Sequence, residues 1–208
     1  MRRAPALAFA LAAFLLNAAA GHAQEAAPDP TQDPNQVRAG AYALDPDHGK
    51  ITWSVSHLGY STYYGQFTGV NAKLDLDPKA PAKSRLSVGV PLSGVLTGSA
   101  ALDKHLAGAD FFDSEKFPTA TFTATGIEGT SPTTARITGD LALRGVTKPV
   151  TLDATFNQAG INPIDKRYTV GFDGRAVVKR SDFGITAFLP LLGDEVTLRI
   201  EGEFKAAP

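Results

Sequence analysis

Between residues 42 and 204 the chain alternates apolar and polar side chains in one segment after another. A strand turns successive side chains to opposite faces, so this two-residue period builds a sheet with one dry face and one wet face. Repeated about eight times, the pattern requires the dry face to be covered, and an antiparallel sheet of that size covers it by closing into a barrel. The first in-phase sets are Ile51, Trp53, Val55 and His57; Val70, Ala72, Leu74 and Leu76; Leu86, Val88, Val90 and Leu92; and Ala120, Phe122 and Ala124. The others are Ile137, Gly139, Leu141 and Leu143; Val150, Leu152, Ala154 and Phe156; Tyr168, Val170, Phe172 and Val178; and Val196, Leu198, Ile200 and Phe204. The expected fold is all-β, an eight-stranded antiparallel barrel with one short helical insert. A two-sheet sandwich is the structural alternative.

Interruptions in the alternation mark the connections. Gly59-Tyr60-Ser61 reads as a turn, and residues 77–83 as a loop. Phe67 is out of phase with Val70, with Gly69 between them, which predicts a bulge. Residues 144–149 (Arg-Gly-Val-Thr-Lys-Pro) read as a short link between antiparallel strands. The insert falls at residues 99–117, where Leu102, Leu106 and Ala109 suit a short helix capped by Ser99. Phe111 and Phe112 follow, and as neighbours on a strand they would face opposite ways.

The N-terminus reads as a secretory signal peptide over residues 1–23. Arg2 and Arg3 precede an apolar run at residues 6–16, and Ala20-Gly21-His22-Ala23 offers small residues for cleavage. The run is shorter than the ~18–20 residues of a membrane span, which argues against an anchor. Residues 24–40, rich in Pro, Asp, Gln and Ala, read as a flexible linker that cannot repay its ordering entropy. Residues 41–208 are then a single domain. Export places it in the periplasm. The chain has no cysteine, which removes disulfides, thiol nucleophiles, thiolate metal sites and a lipidated N-terminal cysteine. Losing Arg2 and Arg3 moves the net charge only from −1 to −3. No basic stripe points to nucleic acid, and no mature segment is apolar enough to cross a membrane as a helix.

A closed barrel with an apolar interior is either a packed core or a container for an apolar ligand. Trp53, Phe67, Phe122, Phe172 and Phe183 are candidates for cavity walls or for ordinary core. Phe111 and Phe112 either divide between core and cavity mouth or together cap the barrel. His57 ends a strand face and His105 sits in the insert. They read as a polar pair at a ligand headgroup, or as hydrogen-bonded residues that fix a turn or barrel end. Metal binding lacks a motif of sufficient ligands, so no metal or other cofactor is expected. Asp103, Asp110, Asp113 and Glu115 lie among Lys104 and Lys116 and read as a solvated face rather than an acid–base pair. Asp182-Phe183-Gly184 matches a kinase triplet by letter only, and no nucleophile elbow is present. Arg144 with Lys148, and Arg180 with Lys179, read as solvated loop charges or as contacts for an anionic headgroup.

Several stretches together resemble the YceI family of bacterial periplasmic lipid-binding proteins. They are Trp53-Ser54-Val55-Ser56-His57-Leu58-Gly59-Tyr60-Ser61, Gly65-Gln66-Phe67 and Leu102-Asp103-Lys104-His105-Leu106. Asp110-Phe111-Phe112-Asp113, Phe117-Pro118, Thr121-Phe122 and Gly139-Asp140-Leu141 follow, then Arg144 through Leu152 and Arg180-Ser181-Asp182-Phe183-Gly184. The resemblance implies a lipocalin-like barrel that holds a polyisoprenoid, isoprenoid quinone or fatty acyl chain without catalysis. The expected ligand-binding residues are Trp53, Val55, His57, Phe67, Val88, His105, Leu106, Phe111, Phe112, Phe122, Leu141, Phe172 and Phe183, with no catalytic residues and no metal. Pro91-Leu92-Ser93-Gly94-Val95-Leu96-Thr97-Gly98 is more apolar than the usual acidic version of that loop, which touches the ligand's identity more than the fold. The partner is then a long-chain amphiphilic lipid, with a homodimer as a further expectation. The alternatives are a lipid-modifying enzyme using His57 or His105, and a filled barrel acting as a stress-response interaction module.

Overall fold

The computed structural model of the protein describes residues 30–207. The signal peptide and the first part of the linker lie outside the described residues. Ten strands and one helix follow in order: β1 (Gly40–His57), β2 (Ser61–Phe67), β3 (Asn71–Leu76), β4 (Arg85–Pro91), β5 (Val95–Leu96), α1 (Ala100–Ala107), β6 (Thr119–Gly129), β7 (Thr134–Leu143), β8 (Val146–Ile161), β9 (Tyr168–Lys179) and β10 (Leu192–Ala206). All their pairings are antiparallel. β1 pairs with β10 along one edge, which closes the ring. Along its other edge it pairs with β3 over its first half and β2 over its second. β2 and β3 are therefore two halves of one bent stave, and β4 and β5 are two halves of the next. Ten segments thus make a closed barrel of eight staves, and the sandwich alternative falls away.

The bends lie where the alternation slips. At Thr68-Gly69, Gly69 takes φ 70°, and the kink lets Phe67 and Val70 both turn inward. β1 starts at Gly40, well before the expected Ile51, because Asp45-Pro46-Asp47-His48 bulges out and hides the period. The link expected at residues 144–149 is only Arg144-Gly145. Both residues have positive φ, and Leu143 pairs directly with Val146, as in a two-residue hairpin. In α1 the Ser99 hydroxyl accepts from Leu102 N at 3.4 Å, as the sequence predicts, and turns carry the chain on to β6.

Residues 30–39 depart from the flexible-linker expectation. Thr31 exchanges two backbone hydrogen bonds with Ala159 (2.7 and 2.9 Å). Val37 is buried, the Arg38 guanidinium lies 4.3 Å over the Tyr168 ring, and Tyr42 Oη donates to Arg38 O at 2.6 Å. Composition hides this because only Val37 and Pro34 supply the apolar surface that holds the strap down. The strap crosses the barrel end opposite α1. The core has two parts accordingly. One, at the helix end, includes Ile51, Trp53, Val55, Phe67, Leu92 and Phe111. The other, at the strap end, includes Tyr42, Leu74, Tyr168, Val170 and Phe204. Among the described residues no helix is long and apolar enough to cross a membrane.

Candidate functional site

The inward faces of the staves do not meet. They enclose a cavity of about 690 Å³ whose walls are almost entirely hydrocarbon. All thirteen residues singled out from the sequence line it: Trp53, Val55 and His57 from β1, Phe67 from β2, Val88 from β4, His105 and Leu106 from α1, and Phe111 and Phe112 from the turns after it. Phe122 from β6, Leu141 from β7, Phe172 from β9 and Phe183 from the 3-10 turn after β9 complete the set. Phe111 and Phe112 both face the cavity. They sit in successive turns rather than on a strand, so the opposite-facing rule does not apply. Phe112 meets Phe67 edge-on with ring centroids 5.5 Å apart.

Two glycines shape the walls. A side chain at Gly65 would fall 2.2 Å from the Trp53 indole, and one at Gly139 would fall 2.4 Å from the Phe122 ring. Each aromatic lies flat across the glycine of the neighbouring strand, which keeps the ring against the wall. Trp53 Nε1 is buried without a hydrogen-bond partner among the described residues. Leu92 and Val95, from the apolar loop noted in the sequence, are almost fully buried beneath the helix end.

The two ends of the cavity differ. At the helix end the lining reaches solvent through His57, Leu58, His105, Phe188 and Leu191. The His57 ring lies 6.2 Å from Tyr63, and the His105 ring lies 5.1 Å from Phe111 and 6.3 Å from Phe188. Neither imidazole has a hydrogen-bond partner among the described residues, so neither fixes a turn in the way first expected. At the other end Pro34 and Val37 of the strap lie across the lining, beside the exposed Gly129, Ser131 and Pro132 at the β6–β7 turn, which also line it.

Arg180 corrects another expectation. It is not a solvated loop charge, although it borders the cavity. It is buried, and it donates to Gly193 O (2.8 Å), Ile185 O (3.0 Å), Ala187 O (2.9 Å) and Leu192 O (2.9 Å). Burial pulls its pKa down from the ordinary arginine value, while nearby Asp194 pushes it up. Asp194 in turn accepts from Ser181 N (2.9 Å) and Oγ (2.8 Å). Burial alone would raise its carboxyl, and these bonds outweigh burial and lower it. Arg144 behaves alike, donating to Ala109 O and Gly184 O across three loops. Both guanidiniums organise the helix end through backbone carbonyls.

The sequence reading missed Tyr63, Ile185, Phe188 and Leu191 in the lining. Tyr63 shares the phase of Gly65 and Phe67, a signal weakened by the glycine. Phe188 and Leu191 lie in an irregular loop, where periodicity carries no information.

One cluster of potential metal ligands lies elsewhere, at the strap end: Asp45, His48 and Glu203. The Lys205 ammonium already sits 2.6 Å from Asp45 Oδ2, and His48 Nδ1 lies 2.9 Å from the same oxygen. Lys205 also pairs with Asp165. The Lys205 bond is the main cause that holds the Asp45 carboxyl down at about 2, and the Asp45 bond pushes the His48 imidazole up. This is an ion-pair network in which both Asp45 oxygens are already occupied, Oδ1 by Asp47 N and Oδ2 by Lys205 and His48.

A YceI-like domain model matches residues 42–204. A UPF0312 protein of Ectopseudomonas mendocina (strain ymp) is 41% identical over 171 residues, covering 80% of this chain and 89% of the relative. The Campylobacter jejuni YceI protein superposes with a TM-score of 0.64 at 32% identity, covering 74% of this chain and 90% of that one. A polyisoprenoid-binding domain from Saccharophagus degradans superposes with a TM-score of 0.60 over 82% of this chain and all of that one. At 13% identity it shows likeness of fold alone. With the barrel, the helical insert and the family model in agreement over the whole folded region, this chain belongs to the YceI family.

Proposed function

We propose that the protein is a non-catalytic periplasmic carrier of a long-chain amphiphile, a polyisoprenoid or an isoprenoid quinone, held in the barrel cavity. The observation that carries this reading is the cavity of about 690 Å³ with hydrocarbon walls in a domain of this family. Each buried methylene contributes about 0.8 kcal/mol, so ten of them give roughly 8 kcal/mol before ordering costs. Such a site needs no reactive group, only length and a few polar contacts. A domain of this fold that binds a polyisoprenoid shows that such a barrel can hold an isoprenoid chain. The ligand's tail runs toward the strap, and its head lies near His57 and His105, exposed side chains with free ring nitrogens at the helix end. The thirteen lining residues then act as the ligand's walls, and the N-terminal leader delivers the protein to the periplasm.

The test is organic extraction of protein purified from the cell envelope, followed by mass spectrometry. An isoprenoid lipid in near-stoichiometric amount is expected. A barrel that carries none, and takes up neither ubiquinone nor an undecaprenyl lipid afterwards, defeats the reading. Val88→Trp separates a container from a filled core. In a container it fills vacant space and abolishes uptake, with stability changed by under about 1 kcal/mol. In a filled core it costs about 1–3 kcal/mol.

A further inference from the structure

We propose that the rim at the helix end is a docking surface for the lipid bilayer, through which the cavity takes up and delivers its cargo. The inference rests on the carrier reading above. Leu58, Tyr60, Phe188 and Leu191 are 46%, 90%, 59% and 62% exposed, and they lie together. Leu58 N donates to Leu191 O at 2.9 Å, Leu192 N donates to Phe188 O at 2.8 Å, and the Phe188 ring stacks on Phe111 at 6.3 Å. Tyr60 stands at the tip of the β1–β2 turn, where its N–H donates to His57 O. Leu58, Phe188 and Leu191 also line the cavity, so one apolar surface runs from solvent into the barrel. Ile164, between β8 and β9, is exposed at the other end, and Tyr64, Leu96 and Val177 are exposed without lining the cavity.

The charge pattern selects the partner. One residue in five of this chain is charged. Two of the three elements that build the rim, the loops at residues 57–63 and 183–193, contain no Asp, Glu, Lys or Arg. The third, α1 with its following turn, sets exposed Lys104 and Asp110 beside His105, one charge of each sign. A protein partner meets an apolar centre ringed by polar contacts. A patch of two leucines, a phenylalanine and a protruding tyrosine on two uncharged loops instead has the composition that enters the headgroup–acyl boundary. With no excess of basic residues around it, docking does not call for anionic lipid. Docking there lets a hydrocarbon tail pass from bilayer to cavity without crossing water.

The test is flotation of the mature protein, residues 24–208, with phosphatidylcholine vesicles. Wild type is expected to float, with partition changed by less than about twofold between low and high salt. Tyr60→Ser is expected to lower partition about fivefold, and Leu191→Ser about tenfold, through lost apolar burial. Tyr60 does not line the cavity, so Tyr60→Ser should bind cis-parinaric acid from solution as wild type does. Its transfer of that probe to vesicles should slow by the same fivefold. Wild type that stays in solution, variants that float like wild type, or flotation that requires anionic lipid would each overturn the docking surface. So would a Tyr60-dependent dimer in ultracentrifugation with no flotation, which would make a second copy the occupant. Failure of wild type to bind the probe or any isoprenoid overturns the carrier reading instead, whatever the flotation result.

Discussion

The two ends of this barrel are closed by different physics. At the helix end, irregular loops are held by two guanidiniums that bond backbone carbonyls, and large apolar side chains are left in solvent. At the strap end, a short segment lies across the opening, pinned by the backbone bridge of Thr31 to Ala159, the Arg38 guanidinium over the Tyr168 ring and the bond from Tyr42 Oη to Arg38 O. Loops tied through two side chains open when those side chains let go. A strap tied at several unrelated points does not open as readily. On the proposed carrier reading, the contrast assigns the mouth to the helix end and a closing role to the strap.

The sharpest way to break the comparison is Arg180→Leu. The substitution keeps apolar volume but strands four carbonyl oxygens that now share one guanidinium. Removing one partner of a buried charged hydrogen-bond set costs about 3–5 kcal/mol. Urea unfolding should show that loss, and hydrogen exchange should show residues 185–193 opening before the strap does. Equal exchange at both ends would mean that the guanidinium does not govern the mouth.

Arg180 also shows how far the sequence reaches. It continues the inward phase of Val170, Phe172, Ala176 and Val178. The alternation that revealed the barrel therefore already placed a charge inside, and a charge inside must find partners. Which carbonyls it finds depends on a loop with no period, so the partners were not legible. The cavity walls were legible for the reason the strands were, since both follow from which face is dry. Val37 and Pro34 were not, because two apolar residues in a polar stretch carry no pattern until a barrel end is there to receive them. The strand β2 was hidden by Gly65, whose missing side chain removes one beat of the alternation while making room for Trp53.

Val37→Asp probes the seal. Val37 is buried and lines the cavity, so an aspartate there must either lift the strap or go uncharged. The expected cost is about 2–4 kcal/mol. A bound fluorescent acyl probe should leave faster as well, because the second end of the cavity then communicates with water. Unchanged release with reduced stability would keep the strap as packing and deny it the role of a seal.

The smallest effect is electrostatic and belongs to the strap end alone. Asp45 has its carboxyl held at about 2, chiefly by the Lys205 ammonium, against an ordinary value of 3.8. Its folded value is depressed, so its contribution is complete above the ordinary value and fades as pH falls through about 2. His48 is raised above 6.5, chiefly by its bond to Asp45, so its contribution is complete below 6.5 and fades as pH rises through the raised value. The network is therefore strongest between about pH 4 and 6. Asp45→Asn should lower stability on the order of 1 kcal/mol in that window and converge on wild type in strong acid. Urea midpoints measured across pH for the two proteins provide the check. Because His57 and His105 lie at the other end, outside this network, His48→Gln should remove the alkaline fade without altering ligand uptake. A matching change in uptake would mean that the two ends are coupled through the barrel wall.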